Sequence, residues 1–417
     1  MFRACNTLRA LIRKYCGPAI AAAAALLLAG NATAEKPPDE VFAVTAAITL
    51  PSPQKITAFD ISFVDPVIGE YFLADRTNAV VDVVDTATNK LVAQLTATPP
   101  FAGATGNNDT SGPDGVITVG HKEVWAGDGN STIKVISLLT GATTHVINTG
   151  GKNRADELCL DPRDKLVLMA NDAETPFPFV TLISTETYSV LKTIVMNGTG
   201  GAPKATNGIE QCQWNPRTGK FYVNIPAVNG PPGDDTVPGA VVVISPETLG
   251  IETVFSIPLD KCAGPQGMAI GPEVQILLGC NASTSSVIIN TQSGTVIATL
   301  PNEGGADEVW FNDGDSQYFL ANSGPSYSNS QLLGVVDAWS HQTDPSVVTG
   351  IKSGVNGVTR GGNHSVAADP VLNQVYVPIA STSNLPGTSS AVCGVGNVNG
   401  CIAVFTATGD DKARPPQ

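Results

Sequence analysis

Long hydrophobic runs are scarce in this chain of 417 residues. The exception is an alanine- and leucine-rich run at Ala19–Ala29, which is too short to span a bilayer comfortably. Four basic residues precede this run, and the small residues "NATA" follow it and end at Ala34. This order predicts a secretory signal peptide over residues 1–34, with an uncleaved N-terminal anchor as the alternative. We therefore expect an exported protein, periplasmic or secreted, that has no membrane contact once the signal is removed.

Basic residues are also scarce, since 23 of them stand against 37 acidic residues. The signal peptide holds four of the basic residues and no acidic one, so the remaining chain has 19 against 37 and a net charge of −18. Such a charge disfavours nucleic acids and anionic membranes as partners, and it favours solubility and cation binding.

Sequence motifs of the common cofactor and enzyme classes are missing. The chain has no P-loop, G-x-S-x-G elbow or H-E-x-x-H pair, so no nucleotide site is expected. Only four histidines occur and they are dispersed, which argues against a haem or copper site. The four tryptophans fall in strand positions, where we expect them in the core rather than at a ligand site.

Cysteine pairs of the CxxC type are missing as well, so nothing indicates a zinc ribbon or a thioredoxin-like motif. Six cysteines remain after the signal peptide, and an even number in an exported chain favours disulfides. We expect two local pairs, Cys262–Cys280 and Cys393–Cys401, which leaves Cys159–Cys212 as the remainder.

Helical periodicity is nearly absent, and short β-branched runs between turn residues take its place. Seven segments share one pattern, a polar residue, a short strand and a turn: "FDISFVDP" from Phe59, "PDGVITVG" from Pro113, "ADELCLDP" from Ala155, "IEQCQWNP" from Ile209, "PQGMAIGP" from Pro265, "ADEVWFND" from Ala306 and "NHSVAADP" from Asn363. Further strands follow each copy, and the copies recur about every 51 residues. Four-stranded units at such a period are typical of β-propellers.

The two ends of the repeat array complement each other. The last copy stops after its third strand, "CIAVF" at 401–405, while an unassigned strand at 41–50 precedes the first copy. The N-terminal strand would complete the last blade and remove free strand edges. The predicted fold is therefore an all-β, seven-bladed β-propeller, a single domain over residues 35–417.

The repeat units resemble the bacterial YVTN-type propeller repeat. The resemblance rests on Tyr318–Asn322, on Val80–Asp85 before a threonine-rich turn, and on Val296–Leu300, and it extends over most of the chain. It implies the propeller fold and leaves the function open, because such propellers serve as scaffolds, binding proteins and enzymes.

Two turns are similar to turns of the gluconolactonase family of lactonases. They are "GPDG" at 112–115 and "GPQG" at 264–267. This likeness implies a central divalent metal held by acidic and amide side chains.

One column of the repeat is polar in every copy. Six residues before the turn stand Asp60, Asp114, Asp156, Glu210, Gln266, Asp307 and His364, and the next position adds Glu157, Gln211 and Glu308. Because the first strand of each propeller blade lies beside the central channel, we expect this column to form an acidic ring around one channel mouth. A water-filled channel without a ligand is the alternative.

The acidic ring suits a hard divalent cation with oxygen ligands, Ca²⁺ or a similar ion, because a cation relieves the repulsion among carboxylates. The expected metal ligands are Asp156, Glu157, Glu210, Asp307 and Glu308. Further ligand contacts are expected from Asp60, Asp114, Gln211, Gln266 and His364.

Long connections after the second and fourth strands are expected to wall this channel mouth. The main hypothesis is a monomeric binding protein that contacts a small molecule or a protein there. One alternative is a metal-dependent lactonase or esterase with Glu157, Glu308 or His364 as the base. The other is a structural protein-interaction domain.

Overall fold

Seven antiparallel sheets of four strands each make up the described part of the chain in a computed structural model. The described residues are 41–322, 330–345, 347–351, 364–381, 392–394 and 396–408. The predicted signal peptide lies outside these ranges. Within them, no helix is long and apolar enough to cross a membrane.

The sheets are the blades of a propeller, numbered 1 to 7, and their strands are given from the channel outward. Blade 1 consists of β2 (Ser62–Asp65), β3 (Glu70–Asp75), β4 (Val80–Asp85) and β5 (Lys90–Leu95). Blade 2 consists of β6 (Val116–Val119), β7 (Glu123–Asp128), β8 (Thr132–Ser137) and β9 (Thr143–Asn148). Blade 3 consists of β10 (Leu158–Asp161), β11 (Leu166–Asn171), β12 (Phe179–Ser184) and β13 (Ser189–Val195). Blade 4 consists of β14 (Cys212–Asn215), β15 (Lys220–Ile225), β16 (Gly239–Ser245) and β17 (Gly250–Ile257).

The remaining three blades follow the same plan. Blade 5 consists of β18 (Pro265–Ile270), β19 (Gln275–Cys280), β20 (Ser285–Asn290) and β21 (Val296–Pro301). Blade 6 consists of β22 (Ala306–Asn312), β23 (Gln317–Asn322), β24 (Ser330–Asp337) and β25 (Val347–Ile351). Blade 7 consists of β26 (Ala367–Asp369), β27 (Gln374–Ile379), β28 (Cys401–Thr408) and β1 (Val41–Ile48). A 3-10 turn at Asn108–Thr110 lies between blades 1 and 2.

The innermost strands of consecutive blades contact one another, and β26 of blade 7 contacts β2 of blade 1. The ring is therefore closed, and the predicted seven-bladed propeller is confirmed. Closure in blade 7 depends on β1, which pairs antiparallel with β28 from Val41 opposite Thr408 to Ile48 opposite Ile402. This pairing is the one predicted from the incomplete last repeat.

The hydrophobic core lies between neighbouring blades. Leu168 and Val180 of blade 3, for example, pack with Phe221 and Val242 of blade 4. The second and third strands of a blade are buried on both faces and are nearly continuous apolar runs, whereas the outermost strand β13 mixes half-buried and exposed residues. Burial of this apolar surface, at about 25 cal/mol per Å², holds the blades together.

The two expected disulfides, Cys262–Cys280 and Cys393–Cys401, are present, and the remaining cysteines form a third, Cys159–Cys212. The third joins the innermost strands of blades 3 and 4. Disulfides are consistent with an oxidising compartment, periplasmic or extracellular.

Candidate functional site

The residues of the polar column occupy equivalent positions because their backbone makes the same bond in successive blades. The N–H of Asp60 donates to the carbonyl of Ala74 at 2.9 Å, and the N–H of Asp156 donates to the carbonyl of Ala170 at 2.9 Å. Asp114 and Glu210 make the corresponding bonds to the second strands of blades 2 and 4. These four residues are thereby fixed just before the innermost strands of blades 1 to 4, at one mouth of the channel.

A cavity of about 500 Å³ opens at this mouth, and we call it the acidic cavity. Eight of the ten residues predicted for the site line it: Asp60, Asp156, Glu157, Glu210, Gln266, Asp307, Glu308 and His364. The structure therefore brings together side chains that are more than 300 positions apart in sequence. Their role in binding remains a prediction.

Blades 5 and 6 present their polar residues through β-bulges. In blade 5 the pairing of β18 with β19 shifts between Pro265 and Met268, and in blade 6 the pairing of β22 with β23 shifts between Ala306 and Val309. Gln266 in the first case, and Asp307 with Glu308 in the second, lie within these irregularities. A bulge redirects side chains next to a site, and here the bulged residues line the acidic cavity.

Arg76, which follows the second strand of blade 1, reaches into the ring from outside the polar column. Its Nη2 lies 2.5 Å from Asp60 Oδ2, its Nε donates to Asp114 Oδ1 at 3.0 Å, and its Nη1 donates to Asn108 Oδ1 at 2.7 Å. The guanidinium thus links the acidic residues of blades 1 and 2 and ties them to a loop.

A second guanidinium, that of Arg154, contacts two aspartates of blade 3. Its Nη2 lies 3.0 Å from Asp156 Oδ2 and 2.5 Å from Asp172 Oδ2, and its Nη1 lies 4.0 Å from Asp60 Oδ2. Asp172 follows the second strand of blade 3, so it also comes from outside the column. We call Asp60, Asp114, Asp156 and Asp172 with these two arginines the arginine half of the site.

Three aspartates of the arginine half have the spacing of a metal site. Asp60, Asp114 and Asp156 each offer an oxygen within 4.8 Å of the others. Two guanidinium groups already contact these oxygens, so a metal ion here would lie beside fixed positive charges. The donor set fits an ion by distance, and the arginines compete with it by charge.

The pKa values of the two aspartates that contact Arg76 shift in opposite directions. Burial alone would raise the pKa of Asp60, but attraction to Arg76 and Arg154 outweighs it and lowers that pKa. Burial raises the pKa of Asp114 to about 8, with Arg76 offsetting only part of the effect. The same two arginines therefore leave the pKa of Asp60 below its ordinary value and that of Asp114 above it.

The other half of the cavity, which we call the glutamate half, consists of Glu157, Glu210, Gln266, Asp307, Glu308 and His364. Burial raises the pKa of Glu157 to about 7, although a hydrogen bond with Glu308 lowers it in part. Burial and repulsion from Glu157 raise the pKa of Glu308 well above its ordinary value. Burial and mutual repulsion therefore oppose simultaneous ionisation of the two carboxyl groups.

Glu210, which precedes the innermost strand of blade 4, is also repelled by neighbouring carboxylates. Burial, followed by repulsion from Asp172 and Asp307, raises its pKa well above the ordinary value. Its Oε1 accepts a hydrogen bond from Gln266 Nε2 at 3.1 Å. An amide donor eases the charge on Glu210 without supplying a full positive charge.

His364 lies where the two halves meet. Its Nε2 is 3.0 Å from the carbonyl oxygen of Phe59, so this nitrogen carries the proton that it donates. Its Nδ1 lies 3.8 Å from Asp307 Oδ2 and 4.0 Å from Asp60 Oδ1. The ring also stacks on Phe59, with 4.8 Å between the ring centroids.

Two predicted site residues are not on the wall of the acidic cavity. Asp114 is fully buried and bound by Arg76. Gln211 lines the channel further in, where its Oε1 lies 2.5 Å from the backbone N of Met268 and its Nε2 donates to the carbonyl of Val309 at 3.4 Å. Its amide is therefore used to join the innermost strands of blades 4, 5 and 6.

The expected wall of long loops is only partly seen in the described residues. The connection between β5 and β6 contributes Asn108 to the acidic cavity, and the segment before blade 1 contributes Thr57–Phe59. The predicted connections at 323–333 and 381–400 fall largely outside the described residues.

The expected core placement of the tryptophans holds for Trp125, which is fully buried. Trp214 and Trp310 are half-buried, since they pack against the core on one side and line the channel on the other. Trp339 is 49% exposed. Innermost strands have no further blade on their channel side, which leaves these large side chains facing open space.

No protein-family model matches this chain, and no curated protein matches it. The YVTN-type and gluconolactonase likenesses therefore remain resemblances in sequence. The chemistry of the acidic cavity is therefore the feature that bears on function.

Proposed function

We propose that this protein is an exported binding protein that holds a cationic ligand in the acidic cavity. The observation that carries the proposal is the glutamate half of the site. Glu157 and Glu308 are at most 5% exposed, yet they line a cavity of about 500 Å³. The two arginines contact the aspartates of the other half.

A bound cation would resolve the electrostatic conflict of the glutamate half. Burial and repulsion from neighbouring carboxylates raise the pKa values of Glu157, Glu210 and Glu308, so their charged forms are disfavoured. A bound cation stabilises the ionised carboxylates. Ca²⁺, which takes six to eight oxygen ligands in flexible geometry, is the first candidate among metals. Its ligands would be Glu157, Glu210, Asp307 and Glu308, with Asp156 at the edge of the arginine half.

Calorimetric titration with Ca²⁺ and with ethylammonium tests the proposal directly. Binding of either ion should be tighter at pH 8 than at pH 6 and should release protons, because ligand carboxylates must be ionised. The variant Glu157→Gln/Glu308→Gln should lose this binding, whereas Glu186→Gln/Glu252→Gln, which changes two exposed glutamates, should retain it. If neither ion binds at millimolar concentration at pH 8, the proposal is overturned. A structural protein-interaction domain is then the better hypothesis.

A hydrolase is the second candidate because Glu157 has the properties of a general base. Its pKa of about 7 lies close to working pH, and it hydrogen-bonds a second carboxyl group, Glu308. A panel of lactones and esters assayed with and without Ca²⁺ tests this candidate. Turnover that survives Glu157→Gln would remove Glu157 from the role of base.

A further inference from the structure

A second cavity, of about 380 Å³, lies in the channel beside the acidic cavity, and we call it the apolar cavity. The innermost strands of blades 1 to 6 supply its wall. Ile61 and Glu157 line both cavities, so the two adjoin at these residues. A carboxyl group therefore lies at the boundary between an acidic and an apolar compartment.

The wall of the apolar cavity is built from large apolar side chains. Phe63, Trp214, Ile270 and Trp310 line it and are only half-buried. Phe63 and Trp310 also contact each other edge to face, with ring centroids 5.8 Å apart. A concave space of this size with apolar walls and few polar groups is typical of a small-molecule site.

Three polar side chains of this wall already bond to protein groups, Ser62 to Ser365, Thr118 to Asp65 and Gln211 to the backbone. Gln211 uses both its oxygen and its nitrogen on the backbone of neighbouring blades. At the junction, by contrast, the buried carboxyl groups of Glu157 and Glu308 line the acidic cavity, and Glu157 also borders the apolar one. A ligand that fills both compartments must then be charged at one end and apolar at the other.

Resting on the proposed cation site, we propose that the ligand is an organic ammonium ion with an aromatic or branched aliphatic body. The ammonium group lies against Glu157 and Glu308, and the body enters the apolar cavity between Phe63, Trp214 and Trp310. Charge complementarity fixes the direction of entry, because Glu157, at the boundary with the acidic cavity, is the one carboxylate among the described residues that line the apolar cavity.

Calorimetry of the mature protein with 2-phenylethylammonium, ethylammonium and neutral 2-phenylethanol tests this inference. The aromatic ammonium should bind at least tenfold more tightly than ethylammonium, because burial of a phenyl group adds apolar contact. It should also bind more tightly than the neutral alcohol, which lacks the charge. Binding should change the fluorescence of Trp214 and Trp310.

Two variants test whether the apolar cavity, rather than the acidic cavity, accounts for the preference for the aromatic ammonium ion. Ile270→Trp fills the apolar cavity without leaving a void, so it should remove the preference for the aromatic ammonium and leave ethylammonium binding intact. Trp339→Leu, at an exposed position away from the channel lining, is the matched control and should change neither affinity. Circular dichroism and thermal melting establish that both variants are folded.

The possible outcomes distinguish the two proposals. Equal affinities for the two ammonium ions, or a preference that survives Ile270→Trp, overturn the inference about the apolar cavity. If Ca²⁺ binds and neither ammonium ion does, the inference falls and the proposed cation site stands. If none of the three cations binds, both proposals fall together.

Discussion

Two arginines of the acidic mouth form ion pairs with its aspartates. Arg76 and Arg154 contact aspartates of blades 1, 2 and 3, whereas Glu157 and Glu210 feel Arg154 only as a weaker attraction that burial outweighs. The sequence pattern located the predicted carboxylates, because they occupy two adjacent columns of the repeat. It missed the arginines because each comes from outside that column, and side chains of their length reach across blade boundaries. Counting from the end of each second strand would have singled out Arg76 and Asp172.

Removal of Arg154 should destabilise the fold strongly. Arg154→Met leaves Asp156 and Asp172 buried without their ion-pair partner, and breaking a buried pair on one side costs about 3–5 kcal/mol. Urea unfolding monitored by circular dichroism measures the loss. The control is Lys165→Met, which breaks an exposed pair with Glu186 and should cost less than about 1 kcal/mol. Equal losses in the two variants would contradict the structural role of the arginine half.

A buried aspartate pair in blade 1 should make stability depend on pH. Burial, followed by repulsion from Asp75, raises the pKa of Asp82 well above its ordinary value. The folded protein therefore retains a proton that the unfolded chain releases, so stability falls as pH rises above about 4. Each unit of pKa difference corresponds to about 1.4 kcal/mol. Asp82→Asn removes this penalty and should be more stable than the wild type at pH 7.5, with the advantage shrinking toward pH 4.

Asp85→Asn is the matched control for this pH effect. A hydrogen bond from Thr88 lowers the pKa of Asp85, so its contribution to stability is present above about pH 4 and is lost as pH falls. Its removal should therefore lower stability at pH 7.5, the opposite sign to Asp82→Asn. Thermal melts of both variants from pH 4 to 8 measure the two trends. Parallel trends would show that Asp82 does not titrate as described.

At the scale of single elements, the turn after the innermost strand has the same side-chain hydrogen bond in five of the seven blades. Asn215 Oδ1 accepts from the backbone N of Arg217 at 2.9 Å, as Asp161 does from Arg163 at 2.9 Å and Asp369 from Val371 at 2.8 Å. Such side-chain turns restrain the chain reversal between the first and second strands. The sequence reveals them directly, since Asp or Asn precedes the turn residue in most copies.

Substitution of Asn215 should separate the turn bond from side-chain size. Asn215→Ala loses the acceptor at a fully buried position and should cost about 1–2 kcal/mol. Asn215→Asp keeps Oδ1 and matches the residue that blades 1, 3 and 7 use, so it should retain most of the stability. Chemical denaturation of the two variants measures the difference. An alanine variant as stable as the aspartate variant would show that the bond contributes little.

The bulges of blades 5 and 6 are the part of the site that the sequence did not predict at the scale of elements. A bulge depends on how one strand pairs with its neighbour, here β18 with β19 and β22 with β23. The repeat pattern gives the polarity of Gln266, Asp307 and Glu308, and this was sufficient to place them at the channel. It does not contain the register of the partner strand, so the extra residues remained hidden.

At the scale of the whole molecule, the fold was predictable because it is a sum of local units. Each copy specifies its own strands and turns, and the number of copies fixes the ring. The division of the mouth into an arginine half and a glutamate half was not predictable in the same way. It depends on contacts such as that of Arg76 with Asp114, which join different blades and break the sevenfold pattern.

The disulfide between blades should contribute more stability than the one within a loop. Cys159 and Cys212 are 53 residues apart, whereas Cys393 and Cys401 are 8 apart. In the chain-entropy model, loops of these lengths correspond to about 4 and about 2.5 kcal/mol. The double variants Cys159→Ala/Cys212→Ala and Cys393→Ala/Cys401→Ala, compared by thermal melting, test the order. A reversed order would indicate that native-state packing rather than loop length decides the contribution.

Closure of the ring by β1 should be essential for stability. Deletion of residues 41–50 leaves the outer edge of β28 unpaired, and it removes Phe42 and Ile48, which are 3% and 5% exposed. Phe42 also packs edge to face on Phe319 of blade 6, with ring centroids 5.2 Å apart, so the deletion loosens the joint between blades 6 and 7. A free strand edge and uncovered apolar surface both promote aggregation.

Size-exclusion chromatography and thermal melting should therefore show an aggregated or early-melting protein after deletion of residues 41–50. Deletion of residues 35–40 alone is the control, because it shortens the chain and keeps β1. A synthetic peptide of residues 41–50, added in trans, should restore part of the melting temperature by pairing with β28, since ligands of the native state stabilise it by mass action. The same peptide with Phe42→Ala should restore less, because it pairs without the contact to Phe319. A truncated protein that melts like the intact chain would show that the propeller closes without its N-terminal strand.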